Sequence, residues 1–232
     1  VTFETELPAL VPTGAAPPAL RADDIHVRWV MPEVFHDLPI HETDDEAVRL
    51  LDELADKALP EAGEDDKTRL GLVCALTVGD LQAMGAGYAS ICLTAVEGAP
   101  CTATVLVSLI NSPEVEGGVR SAAKAIASSL RRAGAGEIAE VELPCGWAVS
   151  CIGARDAQLA GDLTETGESL TFPTWYVRVY VPLPNGTTVT MEMATPTPAG
   201  WEAFSTMFGN TVSSIRLFHA DGSPLITSEA GA

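Results

Sequence analysis

The segment from Thr174 to Phe218 constrains the fold more than any other, because a two-residue periodicity there gives way to a helical one. Trp175, Val177, Val179, Val181 and Leu183 alternate with Tyr176, Arg178 and Tyr180, the pattern of a strand with one apolar face. Beyond Pro184-Asn185-Gly186, Val189, Met191 and Met193 alternate with Thr188, Thr190 and Glu192. Register selects the turn. A two-residue loop would set Val179 opposite Glu192, whereas a three-residue loop pairs Val181 with Val189, Val179 with Met191 and Val177 with Met193. A slip of one residue exchanges the two faces, so the pattern predicts a hairpin of strands 174–183 and 187–194 joined by three residues. Pro184 then takes the second position of a type I turn and Gly186 the left-handed position.

After Thr195-Pro196-Thr197-Pro198, Trp201, Phe204, Phe208, Val212 and Ile215 recur at spacings of three and four, one stripe of a helix packed on a sheet. Thr197 before Pro198 reads as its N-cap. Gly200 and Gly209 lie within this segment, each expected to weaken a helix by roughly 1 kcal/mol relative to alanine.

Upstream, the same reading gives a strand over 25–31 and a helix begun by Thr43 or Asp44, with Ala47, Leu51, Leu54 and Ala58 inward and Pro60 as its stop. A second helix from about Lys67 places Leu70, Val73, Thr77, Leu81 and Met84 on one stripe. Residues 88–96 and 101–110 form a hairpin of open register. A third helix runs from Val115 to Ala133, ended by Gly134 and Gly136. Strands over 138–143 and 147–153 turn at Pro144-Cys145-Gly146, and 156–171 is a polar connector. A proline- and alanine-rich arm (1–22) and a tail (219–232) flank a single domain over 23–218.

About seven strands in hairpin succession with three to four helices describe an α+β fold, an antiparallel sheet with helices packed on it. The hairpin Tyr176–Met193 and the closing segment Trp201-Glu202-Ala203-Phe204 through Phe208, Val212 and Ser213-Ser214-Ile215 resemble the Mog1/PsbP-like fold group. That group includes small actinobacterial proteins. The resemblance implies a binding or assembly module more than an enzyme. Ten arginines against three lysines in an alanine-rich chain also fit a high-GC, actinobacterial genome.

The net charge of −19, with 13 basic residues, excludes a nucleic-acid binder, which needs a basic face; the same charge suits a basic protein partner. No apolar run reaches the length of a membrane span and no basic-then-apolar leader opens the sequence, so a cytoplasmic location is expected. Cys74, Cys92, Cys101, Cys145 and Cys151 form neither a CxxC nor a zinc knuckle and read as buried, reduced thiols.

No catalytic constellation emerges. His36 and His41 beside Asp37, Glu42, Asp44 and Asp45 permit a metal site only if the loop converges, and a solvated acidic loop is the simpler reading. No G-x-S-x-G elbow and no GK[ST] occurs. No metal and no cofactor is expected. The leading expectation is a non-catalytic protein-binding module using Tyr176, Arg178 and Tyr180, residue types enriched at interface centres, on the outer face of the final hairpin. The alternative for that face is cover by one of the amino-terminal helices. Pro182 points to a strand near a sheet edge, open to another chain. The second functional expectation is a small-ligand binding protein or enzyme with a cleft between sheet and helices near Cys145 and Trp147.

Overall fold

The computed structural model describes residues 18–225 except 160, 162, 163 and 165. Within them the chain runs β1 (Ala19–Ala22), β2 (Ile25–Arg28), β3 (Phe35–Asp37), α1 (Asp44–Ala58), α2 (Glu64–Ala83), β4 (Ala86–Val96), β5 (Ala99–Asn111), α3 (Gly118–Ala133), β6 (Glu137–Leu143), β7 (Gly146–Leu159), β8 (Leu170–Pro182), β9 (Thr187–Thr195), α4 (Trp201–Ser213) and β10 (Arg216–His219). The fold is α+β. A seven-stranded antiparallel sheet has the order β3-β4-β5-β9-β8-β7-β6, and a three-stranded sheet the order β1-β2-β10.

The final hairpin forms in the register that the alternation requires: Val181 faces Val189, Val179 faces Met191 and Val177 faces Met193. The Gly186 amide donates to the Leu183 carbonyl at 3.3 Å, and Gly186 has φ +83°. The Asn185 carboxamide accepts from the Thr187 amide and hydroxyl, and donates to the Ala22 carbonyl at 2.9 Å. The turn thereby ties the large sheet to the small one. At β4–β5 the open register resolves to a two-residue turn at Glu97-Gly98, both at positive φ, the twist that suits a tight hairpin.

One face of the large sheet carries the main core. Val105, Val107, Val189, Met191 and Met193 are fully or almost fully buried there against Phe204, Phe208, Val212 and Ile215 from the α4 side and Val27 and Trp29 from the β2 side. The other face has two separate covers. On β4, α1 and α2 pack through Leu51, Leu54, Cys74 and Val78. On β6, β7 and β8, α3 packs through Ala123, Ile126 and Ala127. Between these covers, Leu106 of β5 still packs against the α1–α2 cluster, while Thr104 and Ile110 are exposed.

Several sequence expectations change. Residues 19–22, placed in the amino-terminal arm, pair with β2, and residues 216–219 add β10 on its other side. Beyond His219 the chain stays docked, with the Leu225 amide donating to the Leu217 carbonyl at 2.9 Å. Residues 1–17 of the arm and 226–232 of the tail lie outside the described residues. The two ends of the polar connector, 156–159 and 170–171, are strand, since β7 and β8 pair from Val149–Tyr180 out to Leu159–Leu170. Alternation cannot reveal strands that are wet on both faces. In α2 the buried side chains are Cys74 and Val78, while Leu72, Leu76 and Met84 are exposed; apolar residues on every side left the inward stripe undetermined. Val115 precedes α3 and is exposed. Pro182 does not mark an edge: β8 is interior, and Pro182 faces Thr188 beyond the end of the β7 pairing.

Thr197 makes no capping bond. Its hydroxyl accepts from the Thr102 amide at 3.0 Å, fastening the start of α4 to β5. The two glycines near α4 differ in role. A Cβ on Gly200 would lie 2.3 Å from the Phe204 ring and 3.2 Å from Cys101 Cβ, whereas one on Gly209 meets nothing within 4 Å. Gly209→Ala should therefore stabilise the protein by about 0.5–1 kcal/mol, and Gly200→Ala should destabilise it by about 1–3 kcal/mol through overpacking. Urea unfolding of the two variants checks the opposite signs.

Candidate functional site

The register that buries Met191 and Met193 turns Glu192 to the other face, directly opposite Arg178. Glu192 is only 7% exposed, so its carboxylate needs cationic partners. Two arginines supply them. Arg155, from β7, grips it with both terminal nitrogens at 2.6 and 3.0 Å. Arg178 donates Nε at 2.6 Å and also pairs through Nη2. Arg178 Nη1 donates to the Tyr180 hydroxyl at 3.2 Å. Both guanidiniums approach the Tyr176 ring, at 5.1 Å for Arg155 and 5.6 Å for Arg178, within cation–π range.

The Tyr176 hydroxyl donates to the Ala135 carbonyl at 2.8 Å, just after α3. Burial, then the neighbouring Cys151 thiol, raises the Tyr176 pKa, which keeps the phenol protonated as the donor that bond requires. Gly153 makes the approach possible, since a Cβ there would lie 2.7 Å from the Tyr176 hydroxyl.

The three residues expected to form a binding face are thus together but unequal. Tyr180 is buried beneath α3 beside Val149 and Cys151. The cover comes from this third helix and not from an amino-terminal one. Tyr176 and Arg178 are half-buried, and the Arg178 and Arg155 side chains are 36% and 45% exposed against 9% for Glu192. Two guanidiniums around one carboxylate leave one positive charge in excess, at the border of the exposed strip along β5. Glu192 and Arg155 were not singled out from sequence. Glu192 could have been, because a carboxylate alternating with methionines in a central strand requires a partner, and Arg178 is the residue its register supplies.

Cys145 and Trp147 do not share a site. Cys145 belongs to the α4-side core, where it borders a cavity of about 630 Å³ with Arg216 and Leu225. Trp147 lies on the α3 side under the Arg120 guanidinium, 4.4 Å from its ring. Two residues apart on one strand they would share a face, but Cys145 lies in the turn between β6 and β7, and Gly146, at φ +125°, interrupts the alternation between them. Burial pushes the Cys145 thiol up to about 11, so it remains protonated and is a poor nucleophile. The other four cysteines are also buried, and none of the five forms a disulfide.

His36 and His41 both border a larger cleft of about 690 Å³ between β3, α1 and the start of β1. His41 Nε2 donates to the Gly87 carbonyl at 2.8 Å. The Tyr88 hydroxyl donates to Asp37 at 2.5 Å. Burial and then the Lys57 ammonium hold His36 below the usual imidazole range. Among the described residues no three His, Cys, Asp or Glu side chains converge as metal ligands, and no helix is long and apolar enough to cross a membrane.

No family model matches the chain, and no curated protein does. Solved structures similar to it include Mog1p, the Ran-binding protein of Saccharomyces cerevisiae, at 11% identity and a TM-score of 0.39 over 86% of this chain and 94% of that one. LpqN of Mycobacterium tuberculosis, described as involved in cell envelope biogenesis, aligns at 8% identity and a TM-score of 0.39 over 87% of this chain and 90% of its own. Mog1p itself thus stands among the structural neighbours of a chain whose hairpin and closing helix resemble its fold group. What this chain binds has to come from its own residues.

The cluster makes a stability prediction. Glu192→Ala leaves two guanidiniums facing each other without a counter-charge and should cost about 2–4 kcal/mol. Arg155→Ala leaves Glu192 with Arg178 and should cost about 1 kcal/mol or less. Chemical denaturation of both variants reads the asymmetry; equal losses would mean that the three charges do not act as a unit.

Proposed function

We propose that the chain is a non-catalytic protein-binding or assembly module. Its binding surface would be the exposed strip along β5, with Thr104 and Ile110, between the two helical covers, bordered across β9 by Tyr176, Arg178 and Arg155. The observation that supports this reading most is the excess positive charge of two half-exposed arginines around buried Glu192, set beside exposed Thr104 and Ile110. Arginine and tyrosine together supply planar donors and apolar area at little entropic cost, as interface centres do.

Charge also specifies the partner. The whole chain is acidic, and its acidic helices α1 and α2 favour a basic neighbour. This face carries more basic groups: α3 contributes Arg120, Lys124, Arg131 and Arg132 and no acidic residue, with Arg131 pairing to Glu140 of β6 at 3.5 Å. The segment seated on the strip would therefore carry a carboxylate that meets Arg155 and Arg178, while basic residues elsewhere on the same partner would face α1 and α2. Tyr180 would act from beneath, by holding Arg178 in place.

A photo-crosslinking residue at Thr104, expressed in the native cell, tests the assignment. The expected result is one dominant protein adduct, absent when the crosslinker stands at exposed Asp221 and reduced at least tenfold by Arg155→Ala. Identical adducts at both positions, or no effect of Arg155→Ala with the fold intact by circular dichroism, would overturn it.

A further inference from the structure

The cleft between β3, α1 and β1 is separate from the arginine face, and its chemistry is different. Its volume of about 690 Å³ lies within the range of small-molecule sites. Its wall is mixed: Phe35, Leu38 and Leu54 are buried along it and the Tyr88 ring stands edge-on to Trp29 at 5.2 Å, while His36, His41 and Lys57 also border it. Its mouth is acidic. Glu33, Asp37 and Glu42 border it and are exposed, and among the described residues none of the three has an ion-pair partner. Glu53 also borders the cleft but is already held by Arg49 and lies 4.0 Å from Lys57.

The geometry is held from both sides. Leu20 of β1 packs so closely on Gly87 of β4 that a Cβ there would lie 2.3 Å from it, which fixes β1 over the floor of the cleft. Tyr88 holds one oxygen of Asp37 and so orients that carboxylate at the mouth.

We propose that this cleft binds a small organic cation: an amine or ammonium head carried on a compact apolar body. The body would displace water from the Phe35–Leu38–Leu54 wall, and the head would sit at the mouth against the free oxygen of Asp37, with Glu33 and Glu42 adding attraction. An anionic head of the same size would meet three carboxylates, which Lys57, also at the cleft and 4.0 Å from Glu53, only partly offsets, and a neutral one would gain only the apolar contact. Selectivity for positive charge is therefore the signature of this site, and apolar affinity alone is not.

Isothermal titration of the full chain with hexylammonium, hexanol and hexanoate tests it, with nuclear magnetic resonance to locate the ligand. The expected result is one site for hexylammonium, binding of hexanoate at least tenfold weaker, and shifts centred on Tyr88 and His36. Asp37→Asn should weaken hexylammonium at least fivefold, while Asp156→Asn, an exposed acid on β7, should leave it unchanged. Equal binding of hexanoate, an equal loss from Asp156→Asn, or shifts away from Tyr88 and His36 would overturn the proposal.

Discussion

The pairing of Glu192 with Arg178 across β9 and β8 is the constraint on which the rest of the molecule depends. β9 is the central strand of the seven, so its register is transmitted to both halves of the sheet. In the observed register Val189, Met191 and Met193 are completely buried on one face, each contributing about 1.5–3 kcal/mol, and Glu192 meets two guanidiniums on the other. A slip of one residue would drive an ionised carboxylate into the methionine core, at a cost of several kcal/mol. It would also leave Arg178 without its counter-charge.

That register divides the sheet into two unlike faces. One is continuously packed by α4 and by the small sheet, which Asn185 and the close contact of Leu20 with Gly87 bind to it. The other is covered by helices chiefly at its two ends, so that Thr104 and Ile110 of β5 stay exposed between them beside an arginine border, while Thr188, Glu192 and Ala194 of β9 are buried. The edges offer little alternative. β3 is three residues long, and β6 carries Glu137, Glu140 and Glu142, features that discourage the addition of a further strand. A partner of the kind proposed would therefore seat on the face and not at an edge, where Pro182 had pointed.

Much of this was legible in the sequence where one physical preference dominated. The β8–β9 register followed from keeping methionine and valine on one side, and the α4 stripe from spacing alone. The α3 stop at Gly134 followed from its left-handed conformation, φ +66°. Of the small sheet only β2, within the strand expected over 25–31, was legible, because four-residue strands such as Ala19–Ala22 carry almost no periodic signal. Nor was the inner face of α2, which has apolar residues all round. Tyr176, Arg178 and Tyr180 were readable as one face, but their unequal burial depends on where α3 crosses β7 and β8. That crossing is a long-range property. The cleft behind Tyr88 joins β3, α1 and β1 across 70 residues of chain, and no local pattern announces it.

Hydroxyl-radical footprinting of the chain with and without its crosslinked partner tests the central claim most directly, because it reports side-chain exposure on both rival surfaces at once. The account predicts that Tyr176, Leu106 and Ile110 lose reactivity in the complex while Leu72, Leu76 and Met84 on α2 keep theirs. Protection of the α2 residues, with Tyr176 and Ile110 unchanged, would contradict it and move the interface to the acidic helices.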